Sequence, residues 1–139
     1  MKKEELFELM LDNIPYGLYI LDDKGNYIYA NSVYLASVGM TKSELLSTNV
    51  SSFLEQGAIP FSVSHIVYRE KRSVSIYQDV NISSGLNVRS FRQLIVSNPV
   101  FDETGDVQNI VASCFVQEWM DALVRKAENN TANSMTLML

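Results

Sequence analysis

Asp102, Glu103 and Asp106 surround Gly105 in the stretch VFDETGDV at 100–107, and Asp22 and Asp23 precede Gly25 in ILDDKGNYI at 20–28. Acids gathered beside glycine raise cation binding as the first candidate chemistry. A calcium loop of the EF-hand kind needs oxygen ligands at alternating positions over about twelve residues, closed by a bidentate Glu. Neither stretch has that length or spacing, and both lie between apolar runs. An Asp that hydrogen-bonds its own backbone, followed by a Gly free to take positive φ, makes the turn of a β-hairpin. The other reactive types are sparse: one His, His65, and one Cys, Cys114. With no Ser–His pairing, P-loop or metal-ligand spacing, the chain is expected not to be an enzyme. Arg69, Lys71, Arg72, Arg89 and Arg92 gather loosely and read as solvated charge. A net charge of −5 argues against direct nucleic-acid binding.

These residues must be positioned by a single domain of 139 residues, 47% apolar and 19% charged, as in a soluble globular protein. No apolar run approaches the ~18 residues of a membrane span. The opening MKKEELFELMLDN carries acids throughout and is no signal peptide. A lone cysteine fits a reducing cytoplasm. Residues 1–13 hold a short amphipathic helix with Leu6, Leu9 and Met10 on one stripe. GLYILDDKGNYIYAN then predicts two strands and a tight turn. Helical spacing follows Asn31, and Thr41 with Glu44 forms a capping box for a further helical turn. Breakers at Gly57 and Pro60 separate small helices, the last over about 61–70. Strands are predicted at 73–82, 88–101 and 107–116, with turns at 83–87 and at DETGD. A helix over 118–129 carries Trp119, Leu123 and Val124 on one stripe, and NNTANSMTLML reads as a linker. The order predicts an α+β fold: a five-stranded antiparallel sheet with short helices on one face and flanking terminal helices.

Residues 14–117 resemble a PAS domain. The marks are GLYILDDKGNYIYAN with its turn glycine and helix-opening Asn31, the G-x-T-x-x-E-L-L start at 39–46, and NPVFDETGDVQNIV. A narrower resemblance, resting on residues 62–63, REKRSVSIYQDV and SNPVFDETGDV, is to PAS domains N-terminal to bacterial sigma-54-dependent transcription activators. It implies an output part outside this chain, either an ATPase with a helix-turn-helix or a histidine kinase, with 118–139 as signalling helix and linker. The family usually closes its last strand with Asp-Ile-Thr. Here Val116-Gln117-Glu118 stands instead, which puts signal transfer through that motif in doubt. Light-sensing relatives carry a reactive cysteine where this chain has Val50, so flavin photochemistry is not expected. Haem-binding relatives use a histidine on the helix before the third strand. His65 lies on that helix about two turns later, leaving haem as a minor alternative.

Alternation along RSFRQLIVSNP offers two inward sets. Burying Phe91, Gln93, Ile95 and Ser97 costs far less than burying an unpaired Arg92, and the register that the resemblance implies agrees. Val74, Ile76, Gln78 and Val80, and then Ile110, Ala112 and Cys114, face inward by the same reasoning. An anion could be clamped by Arg69 or Arg92 only if one pointed into the cup, and both are expected in solvent. The expected pocket comprises Phe53, Ile66, Ile76, Gln78, Phe91, Gln93, Ile95, Ser97, Ala112 and Cys114, an apolar wall with few polar groups that suits a small ligand. The alternative is that the glutamines bond each other or the helical lid, leaving a filled core and a ligand-free interaction module. Leu6, Leu9, Met10, Trp119, Leu123 and Val124 are expected to join a homodimer that carries the signal. Both readings stay open at this stage, and the ligand is unidentified.

Overall fold

The computed structural model describes residues 1–84 and 87–138. The elements run α1 (Lys3–Asp12), β1 (Gly17–Leu21), β2 (Tyr27–Ala30), α2 (Ser32–Val38), α3 (Lys42–Leu46), α4 (Val50–Glu55), α5 (Val63–Glu70), β3 (Val74–Ser84), β4 (Asn87–Phe101), β5 (Val107–Val116) and α6 (Gln117–Met138). The strands form one five-stranded sheet in the order β2-β1-β5-β4-β3, with every neighbouring pair antiparallel. This is the α+β architecture expected from the sequence. The turn expected at 83–87 includes 85 and 86, which lie outside the described residues.

Local chemistry sets the boundaries. Thr41 forms the expected capping box with Glu44. Ser62 caps α5 through the His65 amide, so that helix begins at Val63 rather than near 61. Gly39 ends α2 at φ 69, a left-handed position that favours glycine. Asn31 does more than open α2. Fully buried, it accepts from the amides of Leu18 and Tyr34 and donates to the carbonyls of Leu11 and Tyr16. One side chain thus ties the end of α1 and the start of β1 to α2. Each such bond contributes about 1 kcal/mol net, more where its loss strands a buried partner.

The core lies between the sheet and α2–α5, and Leu21, Leu45, Val67 and Ile110 are its largest fully buried aliphatic side chains. On β4, Gln93, Ile95 and Ser97 are buried while Arg92 and Asn98 are exposed. The inward register therefore holds, with Ser97 opposite Ala112 and Pro99 opposite Ile110.

One boundary is corrected. The segment read as a linker, residues 129–138, continues α6, which is 22 residues long. It contains no Pro or Gly to stop it, and absence of an apolar stripe does not end a helix whose residues all tolerate the conformation. From Asp121 to Leu137 every residue of α6 is exposed. Among the described residues, no helix is long and apolar enough to cross a membrane.

Candidate functional site

The acidic stretches are turns. In the first, the Asp22 carboxylate accepts from the amides of Lys24 and Asn26, both at 2.9 Å. Its burial opposes ionisation, but hydrogen bonds from Asn26 and Lys24 outweigh that and hold the carboxyl below its ordinary range. In the second, Asp102 accepts from the Thr104 amide at 2.8 Å and the Asp106 amide at 3.1 Å. Bonds from Thr104 above all depress its pKa. These oxygens serve the hairpins, and among the described residues no group of three or more His, Cys, Asp or Glu is placed to hold a metal.

The candidate site is in the cup. On the inner face of the sheet, Gln78 and Gln93 lie directly opposite each other on β3 and β4. The Gln93 amide donates to Gln78 Oε1 at 3.2 Å, and the Gln78 amide donates to the Phe61 carbonyl at 2.7 Å. A polar relay thus crosses from β4 through the edge strand β3 to the segment entering α5. It satisfies groups whose burial would otherwise cost several kcal/mol.

Facing the relay are three buried tyrosines that sequence reasoning missed. Tyr19, Tyr27 and Tyr34 pack with ring centroids 4.7–6.0 Å apart, and Phe53 meets Tyr27 edge-on at 6.0 Å. The Tyr27 and Tyr34 hydroxyls are 2.9 Å apart and bond each other. Burial is the main cause that raises all three phenol pKa values, so each stays neutral near pH 7. The signal that could have found them is alternation in GLYIL, which places Tyr19 on the same face as Leu21, together with Tyr34 three residues after the cap of α2.

Relay and tyrosines border a cavity of about 30 Å³. That is room for a water or two, against the roughly 300–1,000 Å³ of a typical ligand pocket. Of the expected residues, Phe53, Gln78, Phe91, Gln93 and Ile95 line it. Ile66 and Ile76 are half-buried, and Ser97, Ala112 and Cys114 are buried, but these five do not border the cavity. Ile66 sits on α5, Ile76 and Cys114 flank the cavity-lining Ile95 across the ladder, and Ser97 and Ala112 form the next inward pair along it. Ser97 Oγ is buried there without a hydrogen-bond partner among the described residues. Burial pushes the Cys114 thiol well above its ordinary pKa, so it stays protonated near pH 7.

The cofactor alternatives fit poorly. Val50 lines the cavity and supplies no thiol. His65 is exposed on α5 and does not border the cavity. Arg69 and Arg92 are exposed; Arg92 stacks over the Tyr77 ring at 4.5 Å on the outer face. Arg89 is exposed, as read, and also donates to the Ala36 carbonyl. The flanking apolar residues Leu6, Leu9, Met10, Trp119, Leu123 and Val124 are all between 41% and 58% exposed, so the chain itself does not cover them.

No protein-family model and no curated protein matches the sequence. Solved structures do. A PAS domain from a two-component sensor histidine kinase superposes with TM-score 0.63 at 15% identity, covering 82% of this chain and 96% of that one. The PAS domain of an HTR-like protein from Haloarcula marismortui gives 0.60 at 15% identity, covering 81% and 90%. The LOV protein of Rhodobacter sphaeroides gives 0.61 at 15% identity, covering 84% and 68%. Five antiparallel strands in this order, cupping short helices around a small polar-lined interior, together with these superpositions, establish that the chain has the PAS fold.

Proposed function

We propose that this chain is a sensory module of a bacterial signal-transduction or transcription-regulatory protein, and that its cup takes a small uncharged ligand. The observation that carries this reading is the Gln93–Gln78–Phe61 relay facing the Tyr27–Tyr34 hydroxyl pair inside an otherwise apolar cup. Orientable amide and hydroxyl groups around a cavity give a neutral ligand both donors and acceptors. Among the described residues, no charged side chain lines the space, which disfavours ions. The link to output is short. Gln93 pairs across the ladder with Val116, and α6 starts at Gln117 with no intervening residue. A changed relay is thereby felt at the root of a helix whose exposed stripe, with that of α1, suits a homodimer.

The role is cytoplasmic and non-catalytic on this reading. The narrower parentage, a PAS domain preceding a sigma-54-dependent activator, rests on REKRSVSIYQDV and SNPVFDETGDV. A second reading, a ligand-free dimerisation module, is favoured by one observation: a cavity of about 30 Å³ holds only water unless the cup expands. Native mass spectrometry of freshly purified protein separates the two. The sensory reading expects a dimer with a small-molecule adduct that denaturation releases, whereas a dimer of bare mass, unchanged by a library of small neutral compounds, supports the second.

A further inference from the structure

Phe91 borders two spaces at once. One is the interior cavity; the other is a surface cleft of about 280 Å³ walled by Ser37, Arg89, Val116, Glu118 and Trp119. The inward side chains of β4 step from solvent to interior in order. Arg89 lines the cleft, Phe91 lines both spaces, and Gln93 lies in the cavity. Alternate residues on a strand are about 7 Å apart along one face, so a single ring separates the cleft from the relay. Neighbouring elements frame the same boundary. On α2, Tyr34 and Val38 face the cavity while Ser37 faces the cleft. The Arg89 guanidinium holds the end of α2 through the Ala36 carbonyl. Across the cleft, Glu118 and Trp119 belong to the first turn of α6.

We propose that Phe91 is the door of the cup, and that small uncharged molecules enter between the end of α2 and the first turn of α6. The proposal rests on the reading of the cup as a ligand site. It adds that entry and output share one place, because the ring that swings to admit a molecule moves against the root of the outgoing helix. Phe91 is only half-buried and, like other aromatic side chains, turns about two torsions, so opening requires no change in the strand ladder. The chain's single tryptophan, Trp119, stands in the cleft as a native reporter.

Solvent exchange of the Gln78 and Gln93 side-chain amide protons, read by NMR on the 139-residue chain, tests the door without a ligand. Phe91→Ala is expected to speed that exchange about tenfold or more, leaving the slowest β4 and β5 backbone amides unchanged. Phe91→Trp is expected to slow it. Phe91→Leu serves should the alanine variant not fold, and Ile95→Ala, which enlarges the interior away from the cleft, is expected not to share the selective gain. Equal acceleration of side-chain and backbone exchange, or equal gain in Ile95→Ala, overturns the proposal. A selective effect of Phe91 in a protein that takes up no small molecule would instead leave the door standing for water and sink the ligand reading.

Discussion

The two faces of the sheet use the same strands for opposite purposes. Inward, β3 and β4 present Gln78, Gln93, Ile95 and Ser97, all buried. Outward, the same segments present Tyr77, which is 53% exposed, Arg92 stacked on it, and the half-buried Leu94 and Val96. The inner face hides its few polar residues among buried apolar neighbours such as Val74, Val80 and Ile95. The difference teaches where specificity resides. Buried amides bond one another and the helical lid, so their geometry is determined. The outer face mixes exposed polar residues such as Ser75, Asp79 and Arg92 with Tyr77, Leu94 and Val96, and the first turn of α6 lies beside a groove lined by Tyr77, Leu94 and Phe115. One face holds a fixed arrangement of bonded amides, whereas the other stays largely open to solvent.

The largest expected effect tests the contrast directly. Ile95→Ala should cost about 2–5 kcal/mol in urea denaturation, and Tyr77→Ala less than about 1 kcal/mol. Similar losses would show that the faces do not differ in packing. Next comes the relay. Gln78→Leu should cost about 1–3 kcal/mol, because it strands the Phe61 carbonyl and the Gln93 amide. The double variant Q78L/Q93L should lose less than the two single losses added, since only the Phe61 carbonyl is then left stranded. Strict additivity would mean that the glutamines are not coupled.

A smaller change in stability, but a large one in assembly, is expected at the uncovered helices. Leu9→Asp with Val124→Asp should alter monomer stability by under about 0.5 kcal/mol while moving the sedimenting species from dimer to monomer. A wild-type chain that is monomeric at high concentration would end the dimer reading.

The smallest effect belongs to neither face but to the hairpin turns. Asp22 and Asp102 have depressed pKa values in the folded chain. Their contribution is therefore present above the unfolded carboxylate value of about 3.9 and is lost as pH falls through the lower folded values. Tm should drop on acidification below about pH 4, and D22N and D102N should each flatten that drop. An unchanged slope would show that the turns do not depend on these carboxylates.

Much of the fold was legible because it is written locally. Alternation in RSFRQLIVSNP, with the cost of burying Arg92, assigned the inner face of β4 before any contact was known. Thr41 with Glu44 and the two Asp–Gly turns marked their elements by short-range hydrogen bonds. The candidate site was legible only in part. Gln78, Gln93, Phe91, Ile95 and Phe53 line the space, whereas Ser97, Ala112 and Cys114, on the correct face, do not border it. Periodicity reports which face a residue occupies, not how far along that face the cavity extends.

The sequence by itself determined the order of elements, their caps and turns, and the two sides of each strand, since those depend on neighbours a few residues apart. Only the tertiary structure decided that Tyr19, Tyr27 and Tyr34 converge on the glutamines, that Arg89 grips the end of α2, and that the interior narrows to about 30 Å³. Those facts depend on side-chain volumes and angles brought together from distant segments. Close packing makes such distances sensitive to every neighbour at once, and no local pattern encodes them.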